Sequence, residues 1–173
     1  MFNITTGMEQ AWLALGEPLA QPADIELIEG ALGVGLPREY VEFVTRYGFV
    51  EFGRDPERRM LFSYMVDERG RRETRQDGVS FLFDPDEVVQ IYRYMISTDD
   101  PQDESRPMIP PGYLTVGSNA GHSSILLDVA TNFGQVLYWP ESDWRWGTHD
   151  NLALGYVADS FEDFINGLRP DPL

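Results

Sequence analysis

The chain has 173 residues, 42% of them hydrophobic, and its 13 basic residues are all arginine against 29 acidic ones, giving a formal net charge of −16. With no cysteine, it can form no disulfide framework, thiolate zinc site or cysteine-based active site. The acidic balance argues against nucleic-acid and membrane partners, and no apolar run nears the roughly 20 residues that span a bilayer, so we expect one cytoplasmic domain over residues 1–173.

Three helices are predicted in the first third of the chain. Apolar residues recur at helical spacing in residues 8–15, 22–32 and 37–48. Pro22 suits the first turn of the second helix, and Gly33 suits its end.

After residue 48 the period changes, and apolar residues alternate as they do in half-buried antiparallel strands. Asp84, followed by Pro-Asp-Glu, is a strong helix start, and Ser160 with Asp163 predicts a capping box for a last helix. The sequence therefore predicts an α+β fold, in which a mainly antiparallel sheet packs against N-terminal helices, one inserted helix and a C-terminal helix. The clearest strand patterns cover residues 60–66, 79–83, 113–117, 124–129 and 135–139.

The charge is unevenly distributed. Residues 54–75 carry seven arginines against five acidic residues, whereas residues 1–53 have a net charge of −6 and residues 76–173 a net charge of −12. We interpret this basic island, Arg54 to Arg75, as a solvated hairpin with internal salt bridges. The alternative is a docking or self-association surface that pairs with an acidic region.

Three segments, in order, resemble the SUKH superfamily. Residues 25–48 are similar to its opening pattern, an I-x-x-x-E helix, a glycine break and L-P-x-x-[YF]-x-x-F before a final glycine. Residues 113–139 resemble its strand, glycine turn, strand ending in Asp, turn and strand, and residues 157–168 resemble its closing S-F-x-x-[FI]-[IL] helix. The positions that carry the opening pattern are Ile25, Glu29, Leu36, Pro37, Tyr40, Phe43 and Gly48.

The resemblance implies an α+β fold and, in bacteria, an immunity protein that neutralises a toxin by binding it directly. The eukaryotic relatives imply the alternative, a non-catalytic regulatory or scaffold module. No catalytic residue and no cofactor comes with the family pattern. This chain departs from it at His122, where many relatives have an acidic residue, and in residues 54–75 and 97–111, which look like local elaborations.

The residue types of several reactive sites are present, but their spacing favours structural roles. His122 and His149 are the only histidines and lack zinc-ligand spacing. The residue types of a nucleophilic triad occur at His122, Ser123, Ser124 and Asp128, but there is no G-x-S-x-G elbow. Residues 117–121 lack the lysine of a phosphate-binding loop and indicate a tight turn. We therefore predict no catalytic residue, no metal site, no cofactor and no enzymatic activity.

Two segments are the predicted contacts of a protein partner, a cognate toxin domain with a basic surface. Residues 99–104 form an acidic cluster without the EF-hand glycine, either a solvated loop or a surface for a basic partner. Residues 141–150 combine aromatic anchors with acids, although a tryptophan could instead fold back onto the sheet. Self-association stays open. The predicted contact residues are Asp99, Asp100, Asp103, Glu104, Glu141, Asp143, Trp144, Trp146 and Asp150.

Overall fold

The computed structural model describes residues 1–4, 9–10, 12, 18–52, 60–68, 70–98, 107–119, 121, 123–140 and 154–170. In this part of the chain the helices with defined bounds are α1 (Pro22–Leu32), α2 (Arg38–Tyr47), α3 (Pro85–Ile96) and α4 (Phe161–Gly167). The strands are β1 (Met60–Glu68), β2 (Arg71–Val79), β3 (Phe81–Leu82), β4 (Tyr113–Ser118), β5 (Ser124–Asp128), β6 (Val136–Trp139), β7 (Gly155–Ala158) and β8 (Arg169–Pro170).

Local sequence signals set the ends of α1 and α3. Helix α1 begins at Pro22 and ends before Gly33, whose φ of 74° is the left-handed conformation that glycine adopts at low cost. At the start of α3, the Asp84 carboxylate accepts a hydrogen bond from the Glu87 backbone N–H at 2.8 Å. The Glu87 carboxylate in turn accepts one from the Asp84 N–H at 3.4 Å, so the predicted α3 start is confirmed.

The cap of α4 differs from the predicted one in one hydrogen bond. The Ser160 hydroxyl accepts from the Asp163 backbone N–H at 3.0 Å, as an N-cap residue does. The Asp163 carboxylate, however, accepts from the Ser160 hydroxyl at 2.8 Å, where a capping box would use the Ser160 backbone N–H. The helix therefore begins where it was predicted to begin, but the two side chains are hydrogen-bonded to each other.

The strands form one antiparallel, curled sheet. Its order is β2-β1-β7-β6-β5-β4-β3, with β8 beside β1. Strands β2 and β3 are separated only by Ser80 but stand at opposite ends of this order, so the sheet must curl to bring its ends together. This arrangement of segregated helices and an antiparallel sheet confirms the α+β fold.

The predicted hairpin within the basic island is present and longer than expected. Nine residue pairs join β1 to β2, from Met60↔Val79 to Glu68↔Arg71. No apolar alternation marks β2, because most of its side chains are exposed on both faces and the strand depends on its backbone pairing with β1. Arg75 and Glu73 form an exposed ion pair at 3.0 Å, as expected for a solvated hairpin.

An aromatic core joins the helices to the concave face of the sheet. Phe43 of α2, Phe161 and Phe164 of α4 and Phe62 of β1 are at most 2% exposed. Their rings meet mainly edge to face, the geometry that aromatic quadrupoles favour. The contacts run from Trp12–Phe43 (5.8 Å) through Phe43–Phe161 (5.5 Å), Phe161–Phe164 (5.7 Å) and Phe62–Phe164 (5.9 Å) to Phe62–Tyr138 (5.0 Å).

The centre of the sheet is covered on both faces. Every residue of β5 is buried, with Ile125 and Leu127 in the main core and Leu126 between them in a second apolar cluster on the convex face. Because successive side chains of a strand point to opposite faces, burial of all of them requires a layer on each side.

Gly117 is not a turn residue, which corrects the turn interpretation of residues 117–121. It lies within β4 and pairs with Leu82 of β3. A Cβ at this position would lie 2.6 Å from the backbone oxygen of Phe81. Glycine is therefore required by the close approach of β3 to β4 rather than by a turn conformation.

Substitution Gly117→Ala should lower the free energy of unfolding by about 2 kcal/mol, because backbone rather than a flexible side chain must move. Gly30→Ala is the matched control: no atom lies within 4 Å of the Cβ that it adds inside α1, so we expect a gain of about 0.5–1 kcal/mol from helix propensity. Urea unfolding of both variants measures the difference. A Gly117→Ala variant as stable as the wild type would contradict the close-approach argument.

Candidate partner-binding surface

The residues predicted to contact a partner lie outside the part of the chain that the structure describes. They fall in residues 99–106 and 141–153, and His122 and His149 are outside it too. The contact prediction therefore stays a prediction. The residues concerned are Asp99, Asp100, Asp103, Glu104, Glu141, Asp143, Trp144, Trp146 and Asp150.

The described residues that flank these two segments meet in the second apolar cluster. Met108 donates its backbone N–H to the Met95 carbonyl at 2.7 Å, which holds together the two ends of the segment between them. Trp139, just before the other segment, is fully buried, and Leu154, just after it, packs against the same cluster. The second apolar cluster comprises Met108, Ile109, Leu126, Leu137 and Trp139, with Met95, Tyr113, Leu154 and Tyr156 packed against it.

Beside this cluster, the convex side of β1 is open to solvent. Strand β1 joins β7 through a single residue pair, Met65↔Tyr156. Alternation turns Tyr64 and Val66 inward and leaves the Met65 side chain 38% exposed on the convex side. A groove of about 350 Å³ lies here, lined by Met65, Val66, Asp67, Arg72, Leu154 and Tyr156. We call Met65, Asp67, Leu154 and Tyr156 the seam surface; the first two are exposed and the last two are half-buried.

Carboxylates border the seam surface. Asp67 is the register partner of Arg72 in the hairpin. Burial raises the pKa of Tyr156, and so do its hydrogen bond to Asp159 and the nearby charge of Asp163. The single O–H of Tyr156 is therefore engaged by Asp159 at the edge of the groove.

A second groove, of about 290 Å³, lies on the other side of the Met65↔Tyr156 pair. Asp163 and Arg169 line it, and the Arg169 guanidinium donates to the Ser63 hydroxyl at 3.0 Å. This bond positions the guanidinium, which keeps its positive charge.

On the concave side, a polar cluster surrounds the Tyr138 hydroxyl. Tyr138 is 1% exposed and donates to the Asp77 carboxylate, whose other oxygen accepts from the Gly78 N–H at 2.7 Å. Asn119 donates its side-chain N–H to the Tyr138 oxygen at 3.3 Å. Burial, followed by the bond to Asp77, raises the pKa of Tyr138 far above its ordinary value.

Asp128, the acid among the residue types of a nucleophilic triad, stabilises a turn instead. Asp128 is 1% exposed, and its carboxylate accepts from the backbone N–H groups of Ala130, Thr131 and Asn132 at 2.9, 2.8 and 2.9 Å. Those bonds stabilise the β5–β6 connection and use three of the roughly four acceptor positions of the carboxylate, so a structural role accounts for its burial. Among the described residues, no group of three or more His, Asp or Glu side chains could hold a metal ion.

Sequence reasoning missed the Asp77–Tyr138 pair and the seam surface. Asp77 and Tyr138 are 61 residues apart, and no local pattern links them. The sequence does contain a signal for an apolar surface at Met65. Ser63, Met65 and Asp67 share the face of β1 opposite Phe62 and Tyr64, and Met65 is the apolar residue among them.

Substitution Tyr138→Phe should lower the free energy of unfolding by about 1–2 kcal/mol, because it removes a hydrogen bond to a half-buried carboxylate. Tyr40→Phe is the matched control. Tyr40 is 0% exposed, and its hydroxyl has no hydrogen-bond partner among the described residues, so its removal should leave stability unchanged or raise it by about 1 kcal/mol. Urea unfolding at pH 7 distinguishes them, and equal losses in both variants would contradict the assignment.

Stability should fall in alkaline solution mainly through tyrosine, because the chain has no lysine or cysteine side chain to titrate there. Burial raises the pKa of Tyr40 and Tyr138 in the folded protein, while unfolded tyrosines titrate near about 10. The unfolded state therefore loses protons first above that pH, and the free energy of unfolding falls by up to about 1.4 kcal/mol per pH unit for each buried tyrosine. Urea midpoints measured from pH 8 to 11 check this, and Tyr40→Phe should show a shallower fall. A constant midpoint would contradict it.

No helix in the described ranges is long and apolar enough to cross a bilayer. A search of curated proteins finds no match to the chain. A family model described as the SMI1 / KNR4 family (SUKH-1) matches residues 19–167, which include α1 to α4 and all strands except β8. With most of its length matched in this way, the chain belongs to the SMI1/KNR4 (SUKH-1) family.

Proposed function

We propose that this protein is a cytoplasmic immunity protein that binds and neutralises a cognate bacterial toxin domain. Membership of the SMI1/KNR4 (SUKH-1) family carries the proposal, since bacterial members of the superfamily that the sequence resembles have this role. The proposed mode of action is binding alone, without a reaction catalysed by this chain. The hydrogen bonds of Asp128 support that view, because they give a structural role to the only acid among the residues that resemble a nucleophilic triad.

The charge of the chain supports a basic partner. A net charge of −16 attracts a positively charged surface over distances of about a Debye length, roughly 8 Å at physiological salt. Among toxin classes, a nuclease fits best, because its substrate cleft must be basic to bind phosphates. Electrostatic steering can then raise the association rate to about 10⁸–10⁹ M⁻¹s⁻¹ at low salt.

The direct test uses the C-terminal domain of the protein encoded by the adjacent open reading frame. We expect a stable complex whose association rate falls at least about tenfold between low and high salt, with a much smaller change in dissociation rate. Cells that express this chain should survive a dose of the toxin domain that kills cells without it. Stopped-flow binding and a survival assay measure the two effects.

Equal killing with and without the chain would overturn the proposal for that pair. Binding to a cellular protein in the absence of protection would favour the other role that the family resemblance implies, a regulatory or scaffold module. A catalytically inactive form of the toxin domain serves as the ligand in the binding assay, so that enzymatic damage cannot affect the measurement.

A further inference from the structure

The seam surface is more apolar than the solvent-facing side of an ordinary strand. On the convex side of β1, Met65 stands between Ser63 and Asp67, and its partner across the hairpin is Thr74. The methionine is 38% exposed, and the half-buried Tyr156 stands opposite it across the β1–β7 junction. Flexible, polarisable side chains of this kind adapt to the shape of a bound partner.

The seam surface is continuous with a packed layer rather than isolated. Tyr156 and Leu154 contribute both to its groove and to the margin of the second apolar cluster. The cluster fills the convex face over β5 and β6, while the convex face over β1 stays open. An occupant of the groove would therefore extend an apolar layer that already exists.

The charges around the seam surface favour a basic occupant. Asp67 lines the groove, the Tyr156 hydroxyl is hydrogen-bonded to Asp159, and Asp163 lies close to the same tyrosine. Two arginines are also near: Arg72 lines the groove and is the register partner of Asp67, and Arg169 donates to the Ser63 hydroxyl. Among these groups the three carboxylates outnumber the two arginines, although the hairpin belongs to the basic island, and the balance has the same sign as the charge of the whole chain.

We propose that the seam surface is a contact site for the toxin domain. Met65, Leu154 and Tyr156 receive an apolar side chain of the toxin domain, and the bordering carboxylates of Asp67, Asp159 and Asp163 pair with basic residues on either side of it. The site uses an apolar anchor within a charged rim, the arrangement typical of energetically dominant contacts. This inference rests on the proposed function and adds to it the location of the contact and the chemistry of the partner.

The experiment measures the dissociation constant of the inactive toxin domain for the full chain and two variants. Met65→Arg places a positive charge on the seam surface, and we expect it to weaken binding at least about tenfold, or 1.4 kcal/mol. Leu27→Arg is the matched control, because Leu27 is a 41% exposed apolar residue on α1, a helix of the main core. The control makes the same change in net charge, and its dissociation constant should stay within about twofold of the wild type.

A third variant separates the apolar contact from the charge. Met65→Glu also removes the methionine but keeps the surface acidic, so it should weaken binding less than Met65→Arg does. Equal losses in these two variants would overturn the charge part of the inference. Urea unfolding confirms that each variant is folded. Thr74→Arg, on the exposed hairpin face beside Met65, replaces Met65→Arg if that variant is unstable, with the same direction expected.

The outcomes distinguish the two proposals. A wild-type chain that does not bind the toxin domain overturns the proposed function, and the contact site with it. A wild-type chain that binds while Met65→Arg and Thr74→Arg stay within about twofold of it overturns the contact site alone. Equal weakening by Leu27→Arg and Met65→Arg also overturns it, because the effect would then come from net charge and not from the seam surface.

Discussion

The packing of Tyr138 against the β1–β2 hairpin, with its hydrogen bond to Asp77, connects the middle of the curled sheet to its end. Tyr138 lies on β6, near the middle of the strand order, and Asp77 lies on β2 at its end. The tyrosine ring packs on Phe62 and Tyr64 at 5.0 and 4.8 Å, so its apolar body and its polar tip both contact the hairpin. A buried hydroxyl is costly without a partner, and this requirement fixes where β2 must lie relative to β6.

The same contact decides which side chains the hairpin exposes. Phe62 and Tyr64 must face Tyr138, so alternation along β1 turns Met65 outward. The register is fixed further by Gly155, where a Cβ would lie only 2.4 Å from the Tyr64 ring. Sliding β1 by one residue would bury Met65, but it would also move both aromatic rings out of the core. Exposure of Met65 is thus a consequence of the closure of the sheet.

Sequence patterns predicted the features that depend on residues close together in the chain, such as the ends of helices. The start of α3 follows from Asp84 and Glu87, and the end of α1 from Gly33, because each cap is built within one helical turn. The hairpin was predicted, but the length of β2 was not, because its side chains are mostly exposed and show no apolar alternation. The Asp77–Tyr138 bond could not be predicted, since it joins segments 61 residues apart. The chain order of the elements was accessible from sequence, but the curl of the sheet and the seam surface that results from it were not.

Stability and partner binding depend on different kinds of interaction in this chain. The aromatic core and the hydrogen bond of Tyr138 are buried, so salt screens them little. The ion pairs Arg38–Glu42 and Arg75–Glu73 are exposed at the surface, where such pairs contribute little to folding. Surface charge can therefore vary to match a partner at little cost to the fold. A net charge of −16 is tolerated because the core is held mainly by buried apolar contacts, and Asp77, the acid that takes part in closing the sheet, has a hydrogen-bond partner.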